Sequence, residues 1–176
     1  SPLTSINREN VKTLTPAWRT PLQAGLAMPT PLVHDGVMFL LTSPDTLLAV
    51  DAATGKELWR HAYAPQGGVS STMKMGVALS GGRVFVPTSD LHVQALDAKT
   101  GAQVWDHEIA IYAPAVKGTT LGLRSAPLIV GDKVIEGVTT SFVAGGGFIV
   151  ALDINTGKEL WRFNTIARPG EPGGES

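Results

Sequence analysis

Few residues in this chain have the type and spacing to do chemistry. There is no Cys, which excludes a thiol nucleophile, a thiolate metal site and a disulfide framework. The four His stand at His34, His61, His92 and His107, and no two fall at a metal-ligand spacing. His34 and His107 read as solvated. A Gly-x-Ser-x-Gly nucleophile elbow does not occur. Gly145-Gly146-Gly147 lacks the strand, Gly-rich turn and helix of a phosphate cradle and reads as a hairpin. What is left is the stretch Gly67-Gly68-Val69-Ser70-Ser71-Thr72-Met73-Lys74-Met75. Its small hydroxyls, two adaptable Met and one cation could line a pocket, or the stretch is an ordinary connection. Glu136, in Val134-Ile135-Glu136, reads as exposed or paired across strands, with a site carboxylate as the alternative.

The elements that must position these residues are set by a repeat. Leu48-Ala49-Val50-Asp51-Ala52-Ala53-Thr54-Gly55-Lys56-Glu57-Leu58-Trp59 recurs as Gln94 to Trp105 and as Val150 to Trp161. The shared pattern is Ala-Leu/Val-Asp-x-x-Thr-Gly-x-x-Leu/Val-Trp. It reads as two short strands around a turn in which Asp accepts backbone amides and Gly takes the left-handed position. A second hairpin precedes each copy: Pro31–Val33 with Val37–Leu41, Val77–Leu79 with Arg83–Val86, and Pro127–Val130 with Lys133–Ile135. Each unit is therefore four antiparallel strands in about 40 to 45 residues, the content of a propeller blade. Helix is nearly absent; Asn7 to Leu14 suits one short turn, and Pro16-Ala17-Trp18 reads as the outer strand of an incomplete blade.

The predicted fold class is all-β: a β-propeller of four-stranded antiparallel blades. The segments are 1–22 (a leading helical turn and strand), blades at 27–65, 74–110 and 124–165, and a loop at 166–176. Three blades do not close a ring, and the first residue is Ser. The chain is therefore expected to be part of a longer propeller.

Composition narrows the class of function. The 176 residues carry 14 Lys+Arg against 15 Asp+Glu, a formal net charge of −1. That balance argues against a nucleic-acid partner, which needs a basic stripe, and against a polybasic membrane anchor. With 43% hydrophobic and 16% charged residues the chain is not disordered. No run approaches the ~20 apolar residues of a transmembrane segment.

The three repeats, with the opening Ser1-Pro2-Leu3-Thr4-Ser5-Ile6-Asn7-Arg8-Glu9-Asn10-Val11-Lys12-Thr13-Leu14 and Ala17-Trp18, resemble the quinoprotein dehydrogenases. These are eight-bladed propellers that use pyrroloquinoline quinone (PQQ), and the repeat resembles their tryptophan-docking motif. The resemblance runs along nearly the whole chain, in order. It implies that Trp59, Trp105 and Trp161 pack between adjacent blades and donate to a neighbour's backbone. It also implies a periplasmic PQQ-dependent dehydrogenase that oxidises an alcohol, sugar or polyol and passes electrons to a cytochrome c or quinone. The family's catalytic Asp is expected beyond residue 176. The remaining blades of the ring are the first implied partner. The alternative is a non-catalytic propeller scaffold of the bacterial envelope.

The same resemblance places a cofactor site on the propeller axis, served by loops between blades. The family's Glu ahead of the first blade falls near Met28, its adjacent Cys pair at Val69-Ser70, and its Arg at Met75 beside Lys74. Its Thr falls at Arg124, its Ser at Thr139, and its calcium-ligand Glu near Phe142. The site is thus altered: the Cys pair is missing, and Phe142 offers no oxygen to Ca²⁺ or another divalent cation. The cofactor-binding set implied here is Ser70, Lys74, Arg124 and Thr139. Lys74 and Arg124 are expected to face the axis and pair with the carboxylates of PQQ.

Overall fold

The computed structural model describes residues 5–25, 28–66, 73–109, 121–140 and 146–174. A 3₁₀ turn, Val11–Thr13, is the only helical element among them. Everything else that is regular is strand. The first sheet holds β1 (Leu32–His34), β2 (Val37–Thr42), β3 (Thr46–Asp51) and β4 (Glu57–Ala62). The second holds β5 (Ala78–Ser80), β6 (Arg83–Pro87), β7 (His92–Asp97) and β8 (Gln103–Glu108). The third holds β9 (Leu121–Leu123), β10 (Leu128–Val130), β11 (Lys133–Thr140), β12 (Phe148–Asp153) and β13 (Glu159–Asn164). Each sheet is an antiparallel meander in chain order, and in the third β9 adds beside β11. The antiparallel four-stranded meanders are those of the predicted all-β class. Pro16–Thr20 forms no strand.

The local chemistry of each unit repeats closely. In the docking turn of the first blade, Asp51 Oδ1 accepts the Ala53 and Thr54 amides at 3.1 and 2.7 Å and the Thr54 hydroxyl at 2.7 Å. Asp97 and Asp153 do the same in their blades. The Thr hydroxyl and amide hold each of these exposed carboxyls below the ordinary aspartate range. The turn closes with a Gly at φ +72° (Gly55), +73° (Gly101) or +71° (Gly157).

The tryptophans join one blade to the next. Trp18 donates to Ala52 O at 3.0 Å, Trp59 to Ala98 O at 3.1 Å and Trp105 to Ile154 O at 3.1 Å. Each ring lies flat on the following turn: a Cβ on Gly55, Gly101 or Gly157 would meet Trp18, Trp59 or Trp105 at 2.5, 2.6 or 2.7 Å. The glycine is thus required twice, for its positive φ and for the close approach of the ring. Trp161 is 41% exposed and has no turn to dock on among the described residues.

Two apolar clusters fill the seams between blades. The first joins Phe39, Leu41, Leu47 and Ala49 to Val84, Val86 and Leu96. The second joins Phe85, Val93, Ala95 and Trp105 to Val134, Val138, Phe148 and Val150. Phe39 and Phe85 meet Trp59 and Trp105 at centroid distances of 6.0 and 5.8 Å, tilted by 49° and 43°. β3 and β7 bury both faces and so read as apolar runs rather than as alternations, whereas in β11 the phase of Val134, Glu136 and Val138 is buried and that of Ile135 and Gly137 half-buried.

Candidate functional site

The strand directions give the propeller two unlike ends. At one, the hairpin turns bond the docking turns: Ala52 N–H to Gly36 O at 2.8 Å, Ala98 to Gly82 O at 2.9 Å and Ile154 to Asp132 O at 2.9 Å. At the other lie the β2–β3 and β6–β7 turns and the described residues just ahead of β1, β5 and β10. An apolar cleft of about 330 Å³ lined by His34, Phe39, Trp59 and Ala98 opens at the hairpin end. Lys74, Arg124 and Thr139 lie at the opposite end.

There the lead-in segments of the three blades lie side by side. Thr30 N–H donates to Met75 O and Met75 N–H donates to Arg124 O, both at 2.8 Å. A Cβ on Gly76 would sit 3.5 Å from Thr30 O and 3.6 Å from Ala126 Cβ. β5 and β10 touch just beyond. These contacts mark β1, β5 and β10 as the strands that converge. Met28, Lys74, Met75 and Arg124 all belong to this ring of lead-ins.

Arg124 is half-buried, and its guanidinium has no hydrogen-bond partner among the described residues. Its side chain passes over Gly122, whose Cβ would lie 3.7 Å from Arg124 Nε. Gly122 in turn pairs with Thr139 and accepts its hydroxyl at 3.0 Å. The fold thus brings Arg124 and Thr139 to one place although β10 lies between them in sequence. Ser70 and Phe142 lie outside the described residues, as does most of the Gly67–Met75 stretch.

Lys74 has a different setting. It is 5% exposed, and its ammonium donates to Asp45 and, at 2.6 Å, to Ser89 Oγ. Asp45, 3% exposed, also accepts Ser89 N–H at 2.6 Å and Ser89 Oγ–H at 2.9 Å. Burial depresses the Lys74 ammonium below the ordinary lysine value, with Asp45 opposing. Asp45 lies in the β2–β3 turn of the first blade and Ser89 in the β6–β7 turn of the second, so this buried pair fastens the first seam. The sequence reading missed Asp45 because Ser43-Pro44-Asp45 looks like any polar turn.

Glu136 corrects the sequence reading. It is 1% exposed, not at the surface. Val134 and Val138 flank it at two-residue spacing, and Val150 is its register partner. Val134, Glu136 and Val138 form the buried phase of β11 while Ile135 and Gly137 are half-buried, so counting alternation from Ile135 alone misleads. Ser125 Oγ–H donates to Glu136 Oε1 at 3.0 Å and Gly137 N–H at 3.3 Å, while Oε2 is buried without a partner among the described residues. Burial in the apolar seam pushes its carboxyl up to about 8, and the two hydrogen bonds only partly oppose this. His107 is likewise only half-solvated; its Nε2 is buried without a partner among the described residues, and burial lowers its pKa. His61 meets Gln94 Oε1 at 3.1 Å and His92 meets Asp106 at 2.8 Å, so both are spent on neighbours. Among the described residues no three His, Asp or Glu group to hold a metal.

The comparisons with known proteins agree with this architecture. Residues 1–176 match the family model for the PQQ glucose/ethanol/alcohol dehydrogenase β-propeller domain. The chain is 40% identical over 181 residues to quinohemoprotein alcohol dehydrogenase ADH IIB of Pseudomonas putida, covering 98% of this chain and 25% of that protein. The crystal structure of quinohemoprotein alcohol dehydrogenase from Comamonas testosteroni superposes with a TM-score of 0.77 at 33% identity, over 97% of this chain and 26% of that one. A europium-containing methanol dehydrogenase superposes with a TM-score of 0.77 at 29% identity, over 96% of this chain and 30% of that one. The chain spans about a quarter of the length of the curated relatives it matches. Its docking turns, its tryptophan girdle and its match from end to end make it a member of the PQQ-dependent alcohol dehydrogenase β-propeller family.

Proposed function

We propose that this chain forms blades of a PQQ-dependent dehydrogenase that oxidises an alcohol, and that the whole protein supplies the catalytic Asp outside residues 1–176. The observation that carries the reading is the match to the family over the full chain, joined to a structural likeness at 33% identity with a quinohemoprotein alcohol dehydrogenase. We place the protein in the periplasm, with sugar or polyol as further substrate classes and cytochrome c or a quinone as the electron acceptor. No described helix is long and apolar enough to cross a membrane.

Arg124 suits an anionic cofactor. A half-buried guanidinium with no described acceptor is poorly placed alone and well placed beside a carboxylate. Arg124 would hold a carboxylate of PQQ, with Thr139 one strand away and Ser70 completing the set; Lys74, engaged by Asp45, serves the seam behind them. When bound, PQQ supplies the two-electron acceptor for the alcohol. The described residues do not fit Ca²⁺, which wants several oxygen ligands, so any divalent cation draws its ligands from elsewhere in the protein.

Titration of PQQ with Ca²⁺ into the full-length protein tests this. Saturable binding and dye reduction by an alcohol are expected, and Arg124→Ala should weaken binding by about 1.5–3 kcal/mol, the range for a hydrogen bond to a charged group. No binding by the wild type would overturn the reading in favour of an envelope scaffold.

A further inference from the structure

Glu136 has a use that the family resemblance does not assign. It stands where the first two blades carry Leu40 and Val86, one step past the residue that pairs with the alanine opposite the docking tryptophan. A carboxyl has thus replaced an aliphatic side chain in a seam built of Val134, Val138 and Val150. It holds Ser125, which lies in the break between β9 and β10, directly after Arg124. The Arg124 carbonyl is tied to Met75 on the other side. The Arg124-Ser125 step is therefore pinned from two directions, and one pin is Glu136.

We propose that Glu136, as a neutral carboxylic acid, is a positioning residue for Arg124, so that its ionisation draws the Arg124 guanidinium toward the seam and weakens anion binding at the mouth. This rests on the reading of Arg124 as a cofactor contact. The groups around Glu136 favour the neutral form. β11 offers Val134 and Val138, β12 offers Phe148, Val150 and Leu152, and β9 offers Leu123. The face of the second blade is Phe85, Val93, Ala95 and Trp105. The charged or titratable groups on these elements and on β13 are Arg124 itself, Lys133 and Asp153 at the hairpin end, Arg83, His92, Asp97, Asp106, His107 and Glu108 of the second blade, and Glu159 and Arg162. None of them offsets the burial that raises the Glu136 carboxyl to about 8. Ionised, its Oε2 would carry charge in the seam with no donor, and the carboxylate would draw either water or the Arg124 guanidinium to itself.

The experiment is PQQ affinity of the full-length protein between about pH 6 and about pH 10, for the wild type, Glu136→Gln and Ser125→Ala. Wild-type affinity should fall by about tenfold or more on the alkaline side. Glu136→Gln, a permanent neutral isostere, should keep the acid-side affinity and lose the decline. Ser125→Ala should bind weakly throughout, with a flattened profile. In infrared spectra, the wild type at neutral pH should show the C=O stretch of a buried protonated carboxyl that Glu136→Gln lacks. An equal alkaline loss in Glu136→Gln, or no such stretch in the wild type, overturns the positioning role while the cofactor reading stands. Absence of PQQ binding at every pH, or binding indifferent to Arg124→Ala, overturns the cofactor reading and the positioning role with it.

Discussion

The two seams share a girdle and differ in how each treats a buried charge. In both, a tryptophan lies on a glycine of the next blade and donates to a carbonyl there, and a phenylalanine tilts against its ring. In the first seam a cation is buried with its partner, Lys74 with Asp45 and Ser89. In the second a carboxyl is buried without a cation among the described residues and accepts Ser125 instead. A buried ion pair keeps both charges because each repays part of the other's desolvation. A lone buried carboxyl escapes the same cost by holding its proton. One seam is thus held by charge and the other by neutrality, although the scaffold around them repeats.

The largest effect tests what the seams have in common. Trp105→Ala should cost the full-length protein about 3–5 kcal/mol, the usual cost of truncating a buried aromatic, and Trp59→Ala a similar amount. A denaturation midpoint that hardly moves in either variant would remove docking as the shared device.

The charged seam comes next. Lys74→Met leaves Asp45 buried with only Ser89 to hold it, and should cost about 3 kcal/mol. Lys74→Met with Asp45→Leu should recover much of that loss, because no charge is then left in the seam. A double variant no more stable than the single one would show that the pair is not the fastening.

The neutral seam should respond to pH in a set direction. The Glu136 carboxyl is raised from its ordinary value to about 8, so its stabilising contribution is complete below the unfolded value and is lost as pH rises through the folded one. Between about pH 5 and about pH 8 the wild type should lose roughly 2–3 kcal/mol relative to Glu136→Gln, after allowance for relaxation around the site. Thermal melts of the two proteins that run parallel with pH would contradict this.

The smallest effect returns to the girdle. Gly101→Ala and Gly157→Ala should each cost about 2 kcal/mol, from the left-handed backbone and from displacement of the ring above. Lys99→Ala in the same turn should stay within about 0.5 kcal/mol. Unequal costs at the two glycines would mean that the tryptophans do not dock alike.

Much of this molecule can be read from the chain alone, because its information is local and repeated. Asp-x-x-Thr-Gly makes the same hydrogen bonds in each copy wherever it stands, and Gly-containing hairpins set the strand register within a few residues. The blade, the all-β class and the family resemblance follow from that. The partnership of the tryptophans was also legible, though Trp18 was read as a strand residue and docks without one.

What the tertiary structure decided depends on contacts between blades, where residues far apart in sequence meet. Lys74 finds Asp45 across 29 positions, and Arg124 reaches the neighbourhood of Thr139 through Gly122. Glu136 shares a phase with Val134 and Val138, and only the packing of the second blade against that phase decides that it is buried rather than solvated. Whether a side chain is a solvated charge, half of a buried pair or a neutral acid is set by the dielectric and the donors around it. Those arrive only when the next blade packs down.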